Sequence, residues 1–206
     1  METITTLGSL TGLAFTSGVR LYSTILAIGL GIRFGYIHLP EALSHLKLLA
    51  STPVLAASGT LYTAEFFADK IPWIDSLSDV VHTFIRPLGA AILGAVAIGD
   101  VDPAVKLGVF LLCGAIGLSS HSAKAGTRLL ANHSPEPLSN IGLSLAEDGV
   151  VVGGTWLAVT HPVVTLVLVV ALLAIIAWLA PKIVRLFRRN VEKLVSFFRR
   201  RPSAPA

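Results

Sequence analysis

Polar residues recur at helical spacing inside otherwise apolar sequence. Ser58, Tyr62, Glu65 and Asp69 form one such series, Asp75, Asp79, His82 and Arg86 a second, and His121, Lys124, Arg128 and Asn132 a third. Each follows i, i+3 or i+4, i+7, i+11, which is one stripe along an α-helix. Asn140, Ser144 and Glu147 make a shorter fourth stripe. The other faces of these helices are apolar enough for lipid or for neighbouring helices, so the stripes are expected to turn inward.

Between turn signals the apolar stretches predict six membrane crossings, at about 8–33, 53–70, 77–99, 104–130, 139–160 and 162–181. The clearest is the last, where Pro162 to Ala180 holds no charge and is rich in Val, Leu, Ile and Ala. Proline marks the breaks, in His-Leu-Pro-Glu at 38–41, Lys-Ile-Pro-Trp at 70–73, Gly-Asp-Val-Asp-Pro at 99–103, His-Ser-Pro-Glu-Pro at 133–137 and Thr160-His161-Pro162. Residues 41–50 are too few and too polar to span and predict a short interfacial helix. Ser76-Leu-Ser-Asp79 has the spacing of a capping box and predicts that the third crossing starts there. The fold expected is all-α and polytopic, with a transmembrane domain over 1–181 and a tail over 182–206.

Composition sharpens this. The chain has 206 residues, 53% of them hydrophobic, and a mean hydropathy of +0.76, which leaves no room for a second sizeable domain. Its start, Met-Glu-Thr-Ile-Thr-Thr, lacks the basic residues of a signal peptide, so the first apolar segment is expected to be retained. One cysteine, Cys113, excludes an intramolecular disulfide. The net charge of +4 is mostly local: eight Lys and Arg fall between Lys182 and Arg201 against the single acid Glu192. Ile183, Leu186, Val191, Leu194 and Phe198 gather near one side of that segment, as in a basic amphipathic helix lying on anionic lipid headgroups. Nucleic acid is not expected as a partner. Cytoplasmic basic loops then place the C-terminus in the cytoplasm of a bacterial inner membrane. Six crossings would put the N-terminus there as well.

Within or beside the spans stand Arg20, Glu65, Asp69, Lys124, Arg128, Glu147 and Asp148. Left unpaired at roughly 2.5–3.5 kcal/mol each, they would cost on the order of 20 kcal/mol, more than the roughly 5–15 kcal/mol by which proteins are stable. They are therefore expected to pair, with Arg20 and Arg128 holding Glu65 and Glu147 through two-pronged guanidinium contacts. Tyr62, His82, His121, Asn132 and Asn140 add polar capacity beyond that pairing. Such an interior suits a transporter or channel-like protein for a small ion or solute. Glu65 and Glu147 would change charge, Arg20 and Arg128 would partner them or contact an anion, and His82 and His121 would relay protons. The alternative is a metal-dependent membrane enzyme acting on a phosphorylated lipid, with Asp69, Asp75 and Asp79 on a divalent cation such as Mg²⁺ or Mn²⁺; a scaffold without turnover is a third reading. No zinc constellation, phosphate-cradling glycine loop or nucleophile elbow is present, and no cofactor is identified.

Gly18-Val-Arg20 recurs as Gly126-Thr-Arg128, Ala64-Glu65 as Ala146-Glu147, and Arg86-Pro87 is echoed by His161-Pro162. This order suggests inverted three-helix repeats over 1–100 and 104–181. Gly8 with Gly12 and Gly149 with Gly153 have the spacing of close helix packing, within the chain or in a homo-oligomer.

Thr-Ser-Gly-Val-Arg-Leu-Tyr at 16–22, the acidic segment from Ala64 to Arg86 with its Ile-Arg-Pro ending, and the segment from His121 to Asp148 resemble an uncharacterised bacterial membrane family, domain of unknown function 4126. The resemblance covers about residues 5–180. It implies an integral membrane protein and assigns no activity or site.

Overall fold

A computed structural model of the chain describes the backbone of residues 1–131 and 137–199, with the side chains at 72, 73, 75, 76, 129–131, 137–140, 183, 184 and 186–199 left out. The described residues are helical and hold no strand. In order they form α1 (Glu2–Val19), α2 (Leu21–Arg33), a 3₁₀ helix (Glu41–Ala50), α3 (Thr52–Ala68), α4 (Pro72–Ala97), α5 (Pro103–Ala131), α6 (Pro137–Thr160) and α7 (Pro162–Arg199).

Proline opens four of these helices at their first residue and α3 at its second. Its fixed φ suits a first helical turn, and its missing N–H would have had no partner there. Proline also moves one expected boundary. α4 begins at Pro72 with Ile71 at its N-cap position, so Asp75 and Ser76 lie inside its first turns. At its other end Gly99 takes φ +63°, the left-handed conformation that closes a helix at least cost to glycine. Residues 41–50 are helical as expected, but wound as a 3₁₀ helix. Leu43, Leu46 and Leu49 recur every third residue and are all buried, which matches three residues per turn.

The contacts give each helix a direction. Gly8 abuts the backbone of Pro162 while Gly12 abuts Ala158 and Thr165, so α1 runs with α7 and against α6. Gly18 meets Gly117 and Ser120, and Cys113 lies by the Leu10 carbonyl, so α5 also runs with α1. α4 runs against α5, since Gly94 faces Cys113 and Arg86 faces His121. Glu65 reaches Arg86, which requires α3 and α4 to fold back on each other across residues 69–71.

α2 reverses. Arg20 meets Asp69, Leu26 lies over Gly59, Gly29 over Leu55, and Arg33 bonds Thr52, a series that descends along α3. α1 and α2 therefore enter from the same end of the bundle and meet at Arg20, whose backbone is extended at φ −151° and ψ 99°. The reversal leaves few backbone groups unpaired, because Arg20 N–H donates to the Thr16 carbonyl at 2.9 Å and Thr24 N–H to the Arg20 carbonyl at 3.1 Å. Residues 8–33 are thus a helical hairpin and not one crossing.

Two further expectations change with it. Because α1 and α7 start together and run in the same sense, Met1 and the end of α7 lie at opposite ends of the bundle, not on one side. Gly18-Val-Arg20 and Gly126-Thr-Arg128 lie on the parallel helices α1 and α5, so these landmarks are not related by inversion. Residues 1–100 carry five helical elements and 104–181 three.

Three helices are long and apolar enough to cross a membrane, over Leu77–Ala97, Pro103–Arg128 and Pro162–Lys182. The last of these windows is only 11% buried. α7 continues helically past Pro181 to Arg199, which makes residues 182–199 an extension of the same helix. Near its exit the Lys182 ammonium sits 2.9 Å from the centroid of the Trp178 ring, an aromatic and basic pairing of the kind found at membrane surfaces.

Candidate functional site

Charge collects where the hairpin turns. Arg20 is fully buried, because the reversal of the chain places it between the end of α3 and the first half of α6. Its Nη2 donates to the Asp69 carboxylate and, at 2.7 Å, to Ser144 Oγ. Its Nε donates to Glu147 Oε2 at 3.3 Å, and Nη1 lies 3.1 Å from Asp148 Oδ1. One guanidinium thereby serves three carboxylates from two helix segments, which its planar fork of donors permits.

Glu147 is the shared acid of this group. Arg128 holds it with two parallel bonds, Nε to Oε1 at 2.9 Å and Nη2 to Oε2 at 2.8 Å. Lys124, one turn earlier on α5, stands 3.1 Å from Oε2. Asp69, just past the end of α3, draws Arg20 together with Arg128 at 3.4 Å and Lys124 at 3.9 Å. Tyr62 donates to Asp148 at 3.1 Å. The stripe on α5 and the stripe on α6 thus face each other.

A second group lies further along α4. Arg86, also fully buried, donates from Nη2 to Glu65 Oε1 and stands 3.6 Å from Asp79 through Nη1. The same Nη1 is 2.9 Å from His121 Nδ1. A guanidinium has only donors, so Nδ1 accepts and the His121 proton sits on Nε2, which reaches Thr83 Oγ1 at 3.1 Å. His121 is neutral in this arrangement. His82 is set the other way: its Nδ1 lies 2.8 Å from the Ser78 carbonyl, which can only accept, so Nδ1 carries a proton. Glu65 Oε2 and Arg86 Nε are buried without a hydrogen-bond partner.

The structure therefore brings together Arg20, Glu65, Asp69, Lys124, Arg128 and Glu147, with Tyr62, His82 and His121 beside them. Asn132, Asn140 and Asp75 lie outside the described side chains. The pairing expected for Glu65 is corrected. Arg86 holds it, one helix over, while Arg20 turns to Asp69, Glu147 and Asp148. Arg86 and Ser144, placed on polar stripes by the sequence, and Asp148, one of the charges expected to pair, also belong to the network, although the sequence assigns none of the three a role. Arg86 completes the stripe of Asp79 and His82, and that stripe was the signal. Asp69 and Asp79, two of the three acids offered as metal ligands, face guanidinium groups, and the third, Asp75, lies outside the described side chains.

Described residues that are all-helical, three helices long and apolar enough to cross a membrane, and a buried lattice of charge define the class. The chain belongs to the family described as domain of unknown function (DUF4126), whose model matches residues 7–182 and so ends where the basic tail begins. No curated protein and no solved structure matches it.

Proposed function

We propose that the protein moves a small ion or solute across a bacterial inner membrane through the charged interior. In this reading α3 to α7 cross the bilayer and the α1–α2 hairpin enters it from one side, with its tip held among carboxylates. Irregular backbone at such depth is tolerated where protein buries it or where it lines a cavity, and carriers use broken helices at their binding sites in this way.

The observation that supports the reading most is the charge count of the network. Among the described side chains the first group sets Asp69, Glu147 and Asp148 against Arg20, Lys124 and Arg128, and the second sets Glu65 and Asp79 against Arg86. A lattice built only to hold helices together would do best at neutrality, because an unbalanced buried charge is costly. One proton or one monovalent cation closes the balance, and its arrival and departure is what a carrier cycles. His121 fits such a role with one condition: taking a proton on Nδ1 would expel the Arg86 contact, so its protonation is tied to the Arg86–Glu65 pair. The basic end of α7 would leave the bilayer through the anionic cytoplasmic leaflet, with the N-terminus at the opposite face.

Purified protein in liposomes tests this. Under an imposed proton or monovalent-cation gradient, flux should exceed that of empty vesicles and fall at least tenfold in Glu147→Gln and in Glu65→Gln. Flux that is unchanged in both variants, or absent from the folded parent protein for every ion tried, would remove the proposal.

A further inference from the structure

A pocket of about 400 Å³ opens on the outer face of the bundle between α3 and α4. Its wall is apolar, with Leu61 and Leu77 at its exposed edge, 44% and 68% accessible. Its polar groups are few: Glu65, His82, Ser78 and Tyr22. Binding sites for small molecules have this makeup, an apolar lining with a small number of placed polar groups.

Glu65 makes the pocket specific. The residue is 3% exposed, its Oε1 is held by Arg86, and its Oε2 is buried without a hydrogen-bond partner. An unsatisfied carboxylate oxygen in such surroundings costs energy, and a donor supplied by a ligand would recover it. Among the described side chains Glu65 and Asp79 share the one guanidinium of Arg86, so a cationic donor is favoured over a neutral one and an anion is disfavoured. His82 adds a second acceptor. Its Nδ1 proton is directed to the Ser78 carbonyl, so in the neutral ring the lone pair is on Nε2.

We infer that this pocket binds a lipophilic monocation, a primary ammonium on a hydrocarbon arm, with the nitrogen donating to Glu65 Oε2 and the arm against the apolar wall. Only its meaning as cargo rests on the carrier reading; the binding does not. An ammonium offers three donors, one of which meets Glu65 Oε2. The open side of the pocket faces the same surroundings as the exposed apolar residues of α3 and α4, so the ligand would enter sideways from the lipid and not along the bundle axis.

Full-length protein in nanodiscs of zwitterionic phosphatidylcholine, titrated with n-octylammonium, n-octanol and n-octanoate, separates the alternatives. Octylammonium should bind saturably with one site per chain, octanol at least tenfold more weakly, and octanoate not at all. Glu65→Gln should bring octylammonium down to the level of octanol. Because that change also touches Arg86, Ala64→Trp serves as the second variant. Ala64 lines the pocket from an exposed position outside the ion pairs, and the larger side chain should abolish saturable binding while leaving the thermal unfolding midpoint near that of the parent. Equal affinity for octanol and octylammonium, or octylammonium binding that survives Ala64→Trp, overturns the assignment. Saturable binding without any ion flux would leave this site standing and remove the carrier reading instead.

Discussion

α1 and α7 lie side by side and run in the same direction, yet they are built in opposite ways. α7 is the most apolar stretch of the chain and is largely exposed, with Val167, Val170 and Trp178 at 65%, 58% and 64% accessibility. α1 carries Ser9, Thr11, Thr16 and Ser17 among small residues, and from Gly8 to Val19 all but Phe15 is buried. It packs against α4, α5, α6 and α7. A protein folded in water does the reverse, placing its most apolar helix at the centre. Here apolarity gives no preference for the interior, so closeness of approach decides the centre. Gly8, Gly12 and Gly18 let α1 touch its neighbours where a side chain would collide, and lipid-facing helices need no such provision. Two of these hydroxyls bond within the helix, Thr11 to the Gly8 carbonyl and Thr16 to those of Gly12 and Leu13, each at 3.1 Å, while those of Ser9 and Ser17 are buried without a hydrogen-bond partner.

The largest expected effect comes from breaking the buried side of this contrast. Arg20→Ala would leave Asp69, Glu147 and Asp148 without their common cation while keeping them buried. Removal of one member of a buried ion pair typically costs about 3–5 kcal/mol. Denaturant titration of the detergent-solubilised protein should show a loss of this size, or no folded protein at all. Arg20→Lys, which keeps the charge but not the fork of donors, should recover part of it. A loss below about 1 kcal/mol, the scale of an exposed surface pair, would mean that the tip of the hairpin is open to water.

Next in size is a test of what surrounds α7. Val170 is more than half exposed near the middle of the span. In water Val170→Asp would be a surface change, within about 0.5 kcal/mol of neutral. In a bilayer an aspartate at that depth costs about 2.5–3.5 kcal/mol on insertion scales. Membrane-inserted yield from cells, compared between Val170→Asp and Val170→Asn, measures the difference. Equal yields for parent and Val170→Asp would contradict the lipid-facing assignment of the helix on which the inside-out comparison rests.

What could be read before the structure divides along the same line. The stripes were legible because a period of 3.6 residues sorts polar from apolar faces without knowledge of the partner, and the Glu147–Arg128 pair followed from two such stripes. Which arginine Glu65 takes was not legible. Charge type does not say which turns of which helices stand level, and that depends on how far α3 slides along α4. The hairpin was hidden for a different reason. Thr16 to Thr24 contains no proline, and the reversal uses extended backbone at Arg20, which any residue adopts, so nothing local marks it. With the hairpin unseen, residues 8–33 read as one crossing, and each unrecognised reversal exchanges the two ends of a helix bundle. Gly149 and Gly153 show the limit of spacing as a signal. They have the same interval as Gly8 and Gly12, but a side chain added at either would meet open space.

The smallest expected effect sharpens the comparison from its quiet side. Val170→Ala removes two methyl groups from a position where the neighbours are hydrocarbon chains, which close over the loss instead of leaving a cavity. The change in stability should stay within about 0.5 kcal/mol. Leu13→Ala, on the buried face of α1 at 2% exposure, removes three carbons from a place that solid neighbours cannot refill, and should cost about 2–5 kcal/mol. Both substitutions shorten an apolar side chain on helices that touch each other, so a unilamellar or detergent unfolding series that treats them alike would show that α7 is packed against something as rigid as the bundle core. A second copy of the chain is the obvious candidate for that surface, and cross-linking through a cysteine placed at Val170 in a Cys113→Ser background would then join two chains, where a lipid-facing position would join none.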